Sequence, residues 1–479
     1  MTELLEKLKK YDVEIIDCTR IDGEDERPGI ISLTLASWPT ENSFIRSQIW
    51  LPDNYNGIFL GLGSGGMAGH LINPQWEYLS LGYSVGYTDM GTSLYLSGEK
   101  RHGGVDLFRD YTWRSTHLMT ELAKRIIKDY YGREPLYSYF IGESAGGLQA
   151  YSEAERFPCD YDGIIAGVSS HNALGLITYF LWLYKILHRD DGTAIISREK
   201  ANEISISAAK YFNTRGDGEI GDSFITYPYF DEKTIDDFLK FLHTDMPLLS
   251  DVELSTLRKA YEGPKNSLTG ETLFTGLPLG SEMNSGSFDD TTEFGFTWFR
   301  LFFGDGYDDQ YFDFAEQYEK LLEGIGRDFT AVSDDLSAFK EHGGKFISYV
   351  GSADPAGPWA EGLKHYNSVC EKMGGYEEVT SFFKFFILPG RGHNKRHGLG
   401  LRLPLGEDGA PLLDAVRAWR EDGKEPNYLI GLHRDTDESG ITTLEFSRTV
   451  YPYRADKTRE GLDYPRCTSD RILNFLKNL

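Results

Sequence analysis

The stretch Tyr137-Ser-Tyr-Phe-Ile-Gly-Glu-Ser-Ala-Gly-Gly-Leu-Gln149 predicts a strand, a tight turn and a helix, with Ser144 at the apex of the turn. The two glycines of Gly142-Glu-Ser-Ala-Gly146 allow the sharp turn and the close strand–helix approach that expose a serine hydroxyl at a sheet edge. The motif alone is weak evidence, because glycine and serine are common turn residues. A nucleophilic Ser144 also needs a base, an acid that orients the base, and oxyanion donors.

Strands and helices alternate along the chain on both sides of this stretch. A helix is predicted over residues 108–131, and buried strands are predicted at Gly57–Gly61, Gly82–Asp89 and Asp162–Val168. Alternation of this kind predicts an α/β fold whose mainly parallel sheet is covered by helices on both faces. Alternating apolar runs within residues 1–55 predict antiparallel strands at the start of the sheet.

The pattern changes from about Asn172 to Glu341, where aromatic helices and acidic or glycine-rich loops replace the alternation. Strand signals return at Lys345–Val350 and Phe382–Leu388. We therefore expect an α/β core formed by residues 1–171 and 342–479, with an inserted lid domain over residues 172–341.

The glycine-rich segment Leu62-Gly-Ser-Gly-Gly-Met-Ala-Gly-His70 follows a buried strand and allows two interpretations. Gly61, Gly63 and Gly66 match G-x-G-x-x-G and Asp89 ends the next strand, as in a dinucleotide site. Pro74 falls where the dinucleotide helix should continue, which disfavours nucleotide binding. Beside Ser144 we favour an oxyanion loop, over both nucleotide binding and a loop built only for close packing.

Two later strands end in residues that complete a serine-hydrolase set. Phe346–Val350 leads into Gly351-Ser-Ala-Asp354, and Phe382–Leu388 leads into Pro389-Gly-Arg-Gly-His393. The order Ser144, Asp354, His393 is that of α/β-hydrolases. His397 is a weaker alternative base because it lies further from the strand end, and Asp89 precedes the nucleophile, which is wrong for the acid of this fold.

These residues predict ester hydrolysis through an acyl-enzyme. His393 takes the proton of Ser144, which attacks an ester carbonyl, and Asp354 orients the imidazole. The backbone N–H of Ala145, with that of Gly65 or Gly66, holds the oxyanion. This chemistry requires no cofactor.

The composition excludes several other functional classes. Lys and Arg number 49 against 74 Asp and Glu, a net charge of -25 that repels nucleic acid and anionic membranes. The chain contains no run of about 18 apolar residues, so no membrane span is predicted. The four cysteines are far apart and the N-terminus lacks a secretory signal, so we expect free thiols and a cytoplasmic protein.

Several segments together resemble the tannase/feruloyl esterase family. They are Gly63–Gly69, Gly82–Asp89, Tyr137–Gly147, Pro158–Gly167, Tyr349–Pro355, Pro389–His393 and Val450-Tyr-Pro-Tyr-Arg454. The resemblance spans most of the hydrolase core. It implies an α/β-hydrolase with a large lid that hydrolyses esters of phenolic acids such as ferulate, caffeate or gallate, and gives Ser144, Asp354 and His393 the roles stated above.

The chain departs from the family pattern at two positions. The family typically has a cysteine before the serine and another after the histidine, joined as a disulfide, whereas this chain has Glu143 and Asn394. Our hypothesis is that a Glu143–Asn394 hydrogen bond replaces the bridge. The lost bridge argues against secretion and favours small soluble esters over cell-wall polymers.

The family resemblance also raises the question of a structural calcium in the lid. Asn213-Thr-Arg-Gly-Asp217-Gly-Glu-Ile-Gly-Asp222 resembles a degenerate calcium loop, with Asp217 and Asp222 as candidate ligands. Calcium takes six or more oxygen ligands, so we favour a solvated acidic turn.

Two alternatives to a phenolic-acid esterase stay open. Glu143-Ser-Ala-Gly-Gly147 also resembles the turn of general carboxylesterases, and a hydrolase fold can serve as a non-catalytic binding module. The lid aromatics Trp298, Phe299, Phe302 and Phe303 could stack on a phenolic ring or form core, so substrate-binding residues are not assigned. The sequence gives no indication of oligomeric state.

Overall fold

The computed structural model describes residues 2–214, 221–226, 232–246, 249–284, 291–304, 306–307, 312–393, 400–406, 410–436, 442–454 and 466–467. The chain divides into two compact units. Unit 1 comprises Met1–Ala173, Phe299–Tyr307 and Leu321–Phe346, and unit 2 comprises Leu174–Trp298, Asp308–Lys320 and Ile347–Leu479. The division into 1–171, 172–341 and 342–479 stays a prediction.

The strands are, in chain order, β1 (Glu14–Ile21), β2 (Ile30–Ser37), β3 (Ile45–Pro52), β4 (Ile58–Leu62), β5 (Ser84–Thr88), β6 (Tyr137–Glu143), β7 (Gly163–Gly167), β8 (Lys345–Gly351), β9 (Phe383–Leu388), β10 (Leu401–Leu405), β11 (Leu429–Thr436), β12 (Thr442–Val450) and β13 (Arg466–Cys467).

The α-helices are α1 (Thr2–Leu8), α2 (Trp76–Leu79), α3 (Ser93–Leu96), α4 (Gly104–Arg109), α5 (Ser115–Tyr131), α6 (Ala145–Arg156), α7 (Ala173–Leu187), α8 (Arg198–Thr214), α9 (Glu232–Asp245), α10 (Asp251–Glu262), α11 (Thr291–Phe303), α12 (Glu316–Ile325), α13 (Ser337–Glu341), α14 (Trp359–Lys372), α15 (Tyr376–Thr380) and α16 (Leu412–Asp422). A π-helical turn, Asp110–Arg114, joins α4 to α5, and a 3₁₀ turn, Gly326–Asp328, follows α12.

The sheet of unit 1 has the strand order β1-β2-β3-β5-β4-β6-β7. The pairs from β1 to β5 are antiparallel, and the pairs β5–β4, β4–β6 and β6–β7 are parallel. The antiparallel strands predicted at the start of the chain and the parallel strands predicted around Ser144 are therefore both present.

Helices cover the central strands of unit 1. Every residue of β5 and β7 is buried, as parallel strands with two covered faces require. The helix α5 packs against β3 and β5, and α6 packs against β6 and β7. The buried face of α5 carries Met119, Ala123, Ile126 and Ile127, at the spacing of one helical face. The two helices thus cover the central strands, and α6 covers β6, the strand before Ser144.

The helices α7 to α10 of unit 2, called the lid helices after the insertion predicted from the sequence, share one hydrophobic core. Buried residues from α7 to α10 form this cluster, among them Tyr179, Leu183, Ile204, Phe238 and Leu257. The helix α10 begins with a capping box, in which Ser250 accepts from the backbone of Glu253 and the Glu253 side chain accepts from the backbone of Ser250. The aromatic segments of the predicted insertion thus form helices around an interior of their own.

The remainder of unit 2 holds β9, which is buried along its whole length, and a second sheet. This second sheet is antiparallel with the order β10-β11-β12-β13, and the sequence analysis did not predict it. Across the residues that the structure describes, no helix combines the length and the apolar character that a membrane crossing needs.

A buried ion pair links the second sheet to the end of the lid segment after α8. Arg448 on β12 lies 2.6 Å from Asp222, and both side chains are fully buried. Thr226 donates a hydrogen bond of 2.9 Å to the other carboxylate oxygen of Asp222. The guanidinium also lies over the rings of Phe224 and Phe446. Each charge is therefore compensated inside unit 2.

Replacement of Arg448 is expected to destabilise the protein strongly. Arg448→Met leaves the Asp222 carboxylate buried without its cation, which should lower the free energy of unfolding by about 3–5 kcal/mol in urea denaturation. The matched control is Arg258→Met, which removes the half-exposed pair with Asp236 and should change the value by less than about 1 kcal/mol. Equal effects of the two substitutions would contradict this account of the buried pair.

Candidate active site

Ser144 occupies a strained position between β6 and α6. Its backbone has φ 59 and ψ -119, a conformation that residues with a side chain rarely adopt. The Ser144 N–H donates to the carbonyl of Gly167 at 2.9 Å, and its carbonyl accepts from Leu148 and Ser170 at 3.2 Å. Strain of this kind costs about 1–3 kcal/mol and persists where the surrounding structure fixes it. The turn predicted from the sequence is therefore present and locked on both sides.

Three glycines make this turn sterically possible. A Cβ built on Gly142 would lie 2.1 Å from the carbonyl oxygen of Gly146, and one built on Gly63 would lie 2.7 Å from the Cα of Gly146. The end of β6, the first turn of α6 and the segment after β4 thus meet backbone to backbone. Only glycine allows this approach.

Other strained residues lie close to the same edge of the sheet. Apart from Asp25, the described non-glycine residues with positive φ are Ala68, Met90, Ser144 and Val168. Each of these four lies in the segment that follows one of the strands β4, β5, β6 and β7. Backbone strain tends to concentrate at functional sites, and the carboxyl ends of parallel strands are where such sites form.

The predicted oxyanion donors have no acceptor within the described part of the chain. This holds for the backbone N–H groups of Ala145, Gly65 and Gly66. Ala145 is the first residue of α6, where the N–H groups have no partner inside the helix. Gly65 and Gly66 are exposed, and a Cβ on either would meet nothing within 4 Å. The N–H groups of these three residues are thus available to a ligand oxygen.

Hydrogen bonds to the carbonyls hold the glycine-rich loop in place. The buried Tyr111 hydroxyl donates to the carbonyl of Gly66 at 2.6 Å, and Arg46 donates to that of Gly69 at 2.8 Å. Tyr111 lies in the π-helical turn before α5, a feature often found at functional sites. Nothing in the sequence pattern pointed to Tyr111 or Arg46, because both act across long separations.

Asp89, which we considered as a ribose-binding residue, supports this loop instead. Its fully buried carboxylate accepts from the backbone and the guanidinium of Arg46 and from the backbone of Gly91. The Asp89 carbonyl accepts from the N–H of Gly69 at 2.9 Å. Arg46 and Gly91 therefore engage the carboxylate that a ribose would need.

In unit 2, Asp354 and His393 form a close acid–imidazole pair. The His393 Nδ1 atom lies 3.0 and 2.9 Å from the two carboxylate oxygens of Asp354. The Asp354 side chain is fully buried, whereas His393 retains 16% exposure. The backbone N–H groups of Ala356 and Gly357 donate to Asp354 Oδ1 at 2.8 and 3.0 Å. A carboxylate held in this way fixes the tautomer of the imidazole and leaves Nε2 for proton transfer.

Backbone hydrogen bonds join the loops that carry the pair. The N–H of Ser352 donates to the carbonyl of Leu388 at 3.0 Å, and the N–H of Ala353 donates to that of Arg391 at 3.1 Å. The Ser352 hydroxyl also accepts from the N–H of Gly390 at 2.7 Å. The segments after β8 and β9 are thus fixed to one another. Ser144 belongs to unit 1 and the Asp354–His393 pair to unit 2, and the catalytic roles of all three stay predictions.

Some predicted features lie outside the described residues. These include Asn394 and His397, so the Glu143–Asn394 hydrogen bond and the alternative base stay predictions. Asp217, one of the two candidate calcium ligands, also lies outside. Asp222 is described, and its oxygens bind Arg448 and Thr226. An arginine already supplies positive charge at this carboxylate, which disfavours Asp222 as a calcium ligand.

The lid aromatics are packed within the protein. Trp298 and Phe299 are fully buried. Phe303 stacks on Tyr307 with ring centroids 4.6 Å apart, and Phe302 meets Phe108 edge to face. These contacts favour the core interpretation over the substrate-stacking one.

A separate group of side chains of the kinds that bind metal ions comes from α5, α6 and the segment after α6. Within the described residues, His117, Glu153 and Asp160 are the one set whose ligand atoms all lie within 4.8 Å of one another. His117 Nδ1 already lies 2.7 Å from Asp160, and the partly buried Lys124 ammonium donates to the Asp160 carbonyl. The positive charge of Lys124 close to Asp160 and Glu153 disfavours a metal ion there, and we interpret the group as structural.

Comparisons with known proteins identify the wider relationship of the chain. A family model described as tannase and feruloyl esterase matches residues 36–469. A probable feruloyl esterase B of Aspergillus niger is 27% identical over 417 residues, covering 82% of this chain and 77% of that protein. Feruloyl esterase C of Talaromyces stipitatus is 26% identical over 437 residues, covering 87% and 80%.

Solved structures share the fold. Feruloyl esterase B of Aspergillus oryzae superposes with a TM-score of 0.78 at 20% identity, covering 97% of this chain and 99% of that one. A tannin acyl hydrolase of Aspergillus niger gives a TM-score of 0.68 at 17% identity, covering 96% and 91%. The predicted α/β-hydrolase fold is therefore confirmed.

Glu153 should make stability depend on pH. Burial and the neighbouring Asp160 raise the pKa of this carboxyl well above its ordinary 4.5. The folded protein then keeps a proton that the unfolded chain releases, so the free energy of unfolding should fall as the pH rises above about 4.5, by up to about 1.4 kcal/mol per pH unit. Glu153→Gln should make this slope shallower in urea denaturation between pH 5 and 8. The exposed-site control Glu134→Gln should keep it, and an unchanged slope in Glu153→Gln would contradict the assignment.

Proposed function

The chain belongs to the tannase and feruloyl esterase family and is a carboxylic ester hydrolase, and we propose that it hydrolyses small soluble esters of phenolic acids through Ser144, His393 and Asp354. The observation that carries the proposal is the strained turn at Ser144, which is followed directly by the N–H of Ala145, a donor with no acceptor among the described residues. A turn that exposes a hydroxyl beside free backbone donors suits attack on an ester carbonyl.

Acylation is the first half of the proposed reaction. His393 Nε2 removes the proton of the Ser144 hydroxyl as Oγ attacks the ester carbonyl carbon. The resulting imidazolium is stabilised by Asp354, whose two oxygens face Nδ1. The imidazolium then gives its proton to the leaving alcohol oxygen, and the acyl group stays on Ser144 as an ester.

Charge on the substrate oxygen is stabilised by backbone donors. We assign this role to the N–H of Ala145 together with that of Gly65 or Gly66. Donors that are already oriented before the reaction need no rearrangement as the negative charge develops, which is why such sites contribute strongly to rate. Tyr111 and Arg46 keep the loop in this orientation by donating hydrogen bonds to the carbonyls of Gly66 and Gly69.

Deacylation is the second half of the reaction. A water molecule gives its proton to His393 Nε2 and attacks the acyl carbon, and Ser144 leaves with that proton restored to its oxygen. The products are the alcohol and the free carboxylic acid. We infer the phenolic character of the acyl group from the related proteins, which include feruloyl esterases and a tannin acyl hydrolase.

An ester panel tests the proposed reaction and its acyl group. The rate of hydrolysis would be measured for wild type and Ser144→Ala on five esters: methyl ferulate, methyl caffeate, methyl gallate, chlorogenate and 4-nitrophenyl acetate. We expect turnover of at least one phenolic ester, and a loss of about 10³-fold or more in kcat for Ser144→Ala. Ser152→Ala, which removes a buried serine hydroxyl on α6, is the control and should keep its activity. Turnover of 4-nitrophenyl acetate alone would identify a general carboxylesterase, and wild-type inactivity on the whole panel would reject the proposal.

Tyr111 provides a test of the oxyanion loop. Tyr111→Phe removes the hydrogen bond to Gly66 but keeps the ring, which packs against Phe329. A less ordered loop should stabilise the transition state less, so we expect kcat to fall about tenfold, equivalent to about 1.4 kcal/mol, with KM within about twofold. The control is Tyr55→Phe, whose hydroxyl has no partner among the described residues and should leave kcat unchanged. Wild-type kcat in Tyr111→Phe would remove Tyr111 from the account.

A further inference from the structure

Asn284, in the lid part of unit 2, contacts both loops that carry the acid–imidazole pair. The side chain is buried, with 4% exposure. Its Nδ2 group donates a hydrogen bond of 2.5 Å to the carbonyl of Ala353, the residue before Asp354. The same amide packs against Gly392, the residue before His393, where a Cβ would lie 3.0 Å from Asn284 Cγ and Oδ1. One lid side chain therefore touches the neighbour of each member of the pair.

The contact completes the fixation of Ala353. Its N–H donates to the carbonyl of Arg391, and its carbonyl accepts from Asn284. With both backbone polar groups bound, the peptide that leads into Asp354 is held in one orientation. The glycine at position 392 favours this close approach, because a Cβ there would crowd the amide and require it to shift.

The turn that carries Asn284 is itself anchored in the lid. The Asn284 N–H donates to the carbonyl of Ser281 at 2.9 Å, and the N–H of Met283 donates to the Ser205 hydroxyl on α8 at 3.0 Å. The buried Glu282 accepts from Ser205 and from Tyr261 on α10, at 2.7 and 2.8 Å. The amide thus projects from a segment that two lid helices hold in place.

We propose that Asn284 is a positioning residue that sets the orientation of the Asp354–His393 pair from the lid. The inference rests on the proposed function, in which His393 is the general base and Asp354 orients it. The amide acts through Ala353 and Gly392, so its removal alters the placement of the imidazole without removing any group that reacts. A displacement of a catalytic group by about 1 Å can cost about 10²-fold in rate.

Two substitutions separate the hydrogen bond from the packing. Asn284→Ala removes both, whereas Asn284→Asp keeps the shape against Gly392 and removes the donor to Ala353. We expect kcat to fall about 10- to 100-fold in both, with KM within about twofold, and the pH at which kcat/KM is half-maximal to shift. Wild-type kcat in Asn284→Asp would show that the donated hydrogen bond does not position the pair and would overturn the proposal.

The matched control is another buried lid asparagine. Asn266 accepts from the backbone of Leu268 and Thr269 in its own turn. Asn266→Ala should change thermal stability but leave kcat and the pH profile as in wild type. If Asn266→Ala changed kcat and the pH profile as much as Asn284→Ala does, the effect would be assigned to general loosening of the lid, and the proposal would be overturned.

A spectroscopic measurement reads the pair without catalysis. The proton between His393 Nδ1 and Asp354 should give a low-field ¹H resonance in the wild type and in Ser144→Ala, and this resonance should weaken or move in both Asn284 variants. An unchanged resonance together with wild-type kcat overturns the inference. Failure of the proposed function looks different, because the wild type would then hydrolyse no ester on the panel or Ser144→Ala would remain as active, while the resonance would still report on Asn284.

Discussion

The close packing of three glycine backbones around Ser144 is the constraint on which the candidate site depends. Gly63, Gly142 and Gly146 bring the segment after β4, the end of β6 and the start of α6 within van der Waals contact. This approach accompanies the positive φ of Ser144, and α6 begins directly after it with Ala145, whose N–H has no acceptor among the described residues. The burial of the sheet by α5 and α6 supplies the free energy that sustains the strain. The proposed nucleophile and one proposed oxyanion donor thus result from a single packing arrangement.

The glycine-rich loop after β4 also presents backbone N–H groups, but side chains from distant elements hold it in place. A loop at a sheet edge must satisfy its backbone polar groups. Here side chains from distant elements bind its carbonyls, as Tyr111 does for Gly66 and Arg46 for Gly69, while the N–H groups of Gly65 and Gly66 stay available. The asymmetry gives the loop a local excess of donors. Such an excess favours an anionic oxygen and disfavours a cation, as an ester transition state requires.

The sequence predicted the features that depend on neighbours along the chain. The turn at Ser144 follows from glycine spacing, and the placement of Asp354 and His393 just beyond buried strands follows from apolar runs. Features that join distant residues were missed. Asp222 was considered as a calcium ligand because the segment Asn213–Asp222 resembles a degenerate calcium loop of the family, yet its partner is Arg448, 226 residues further on. Tyr111 and Asn284 were missed for the same reason, since a hydrogen bond across the fold leaves no local pattern.

The lid helices and the acid–imidazole pair belong to one unit, which links the stability of the lid to the geometry of the pair. Glu282 ties the turn before Asn284 to α8 and α10, and Asn284 ties that turn to the carbonyl of Ala353. Loosening of the lid core would therefore reach Asp354 through a short chain of hydrogen bonds. Where the family pattern has cysteines before the serine and after the histidine, this chain has Glu143 and Asn394. The hydrogen bonds described above join a different pair of loops, those of Asp354 and His393, and they fix the imidazole against its acid partner. Within unit 2, the placement of the imidazole thus depends on hydrogen bonds, which form under reducing and oxidising conditions alike, unlike a disulfide.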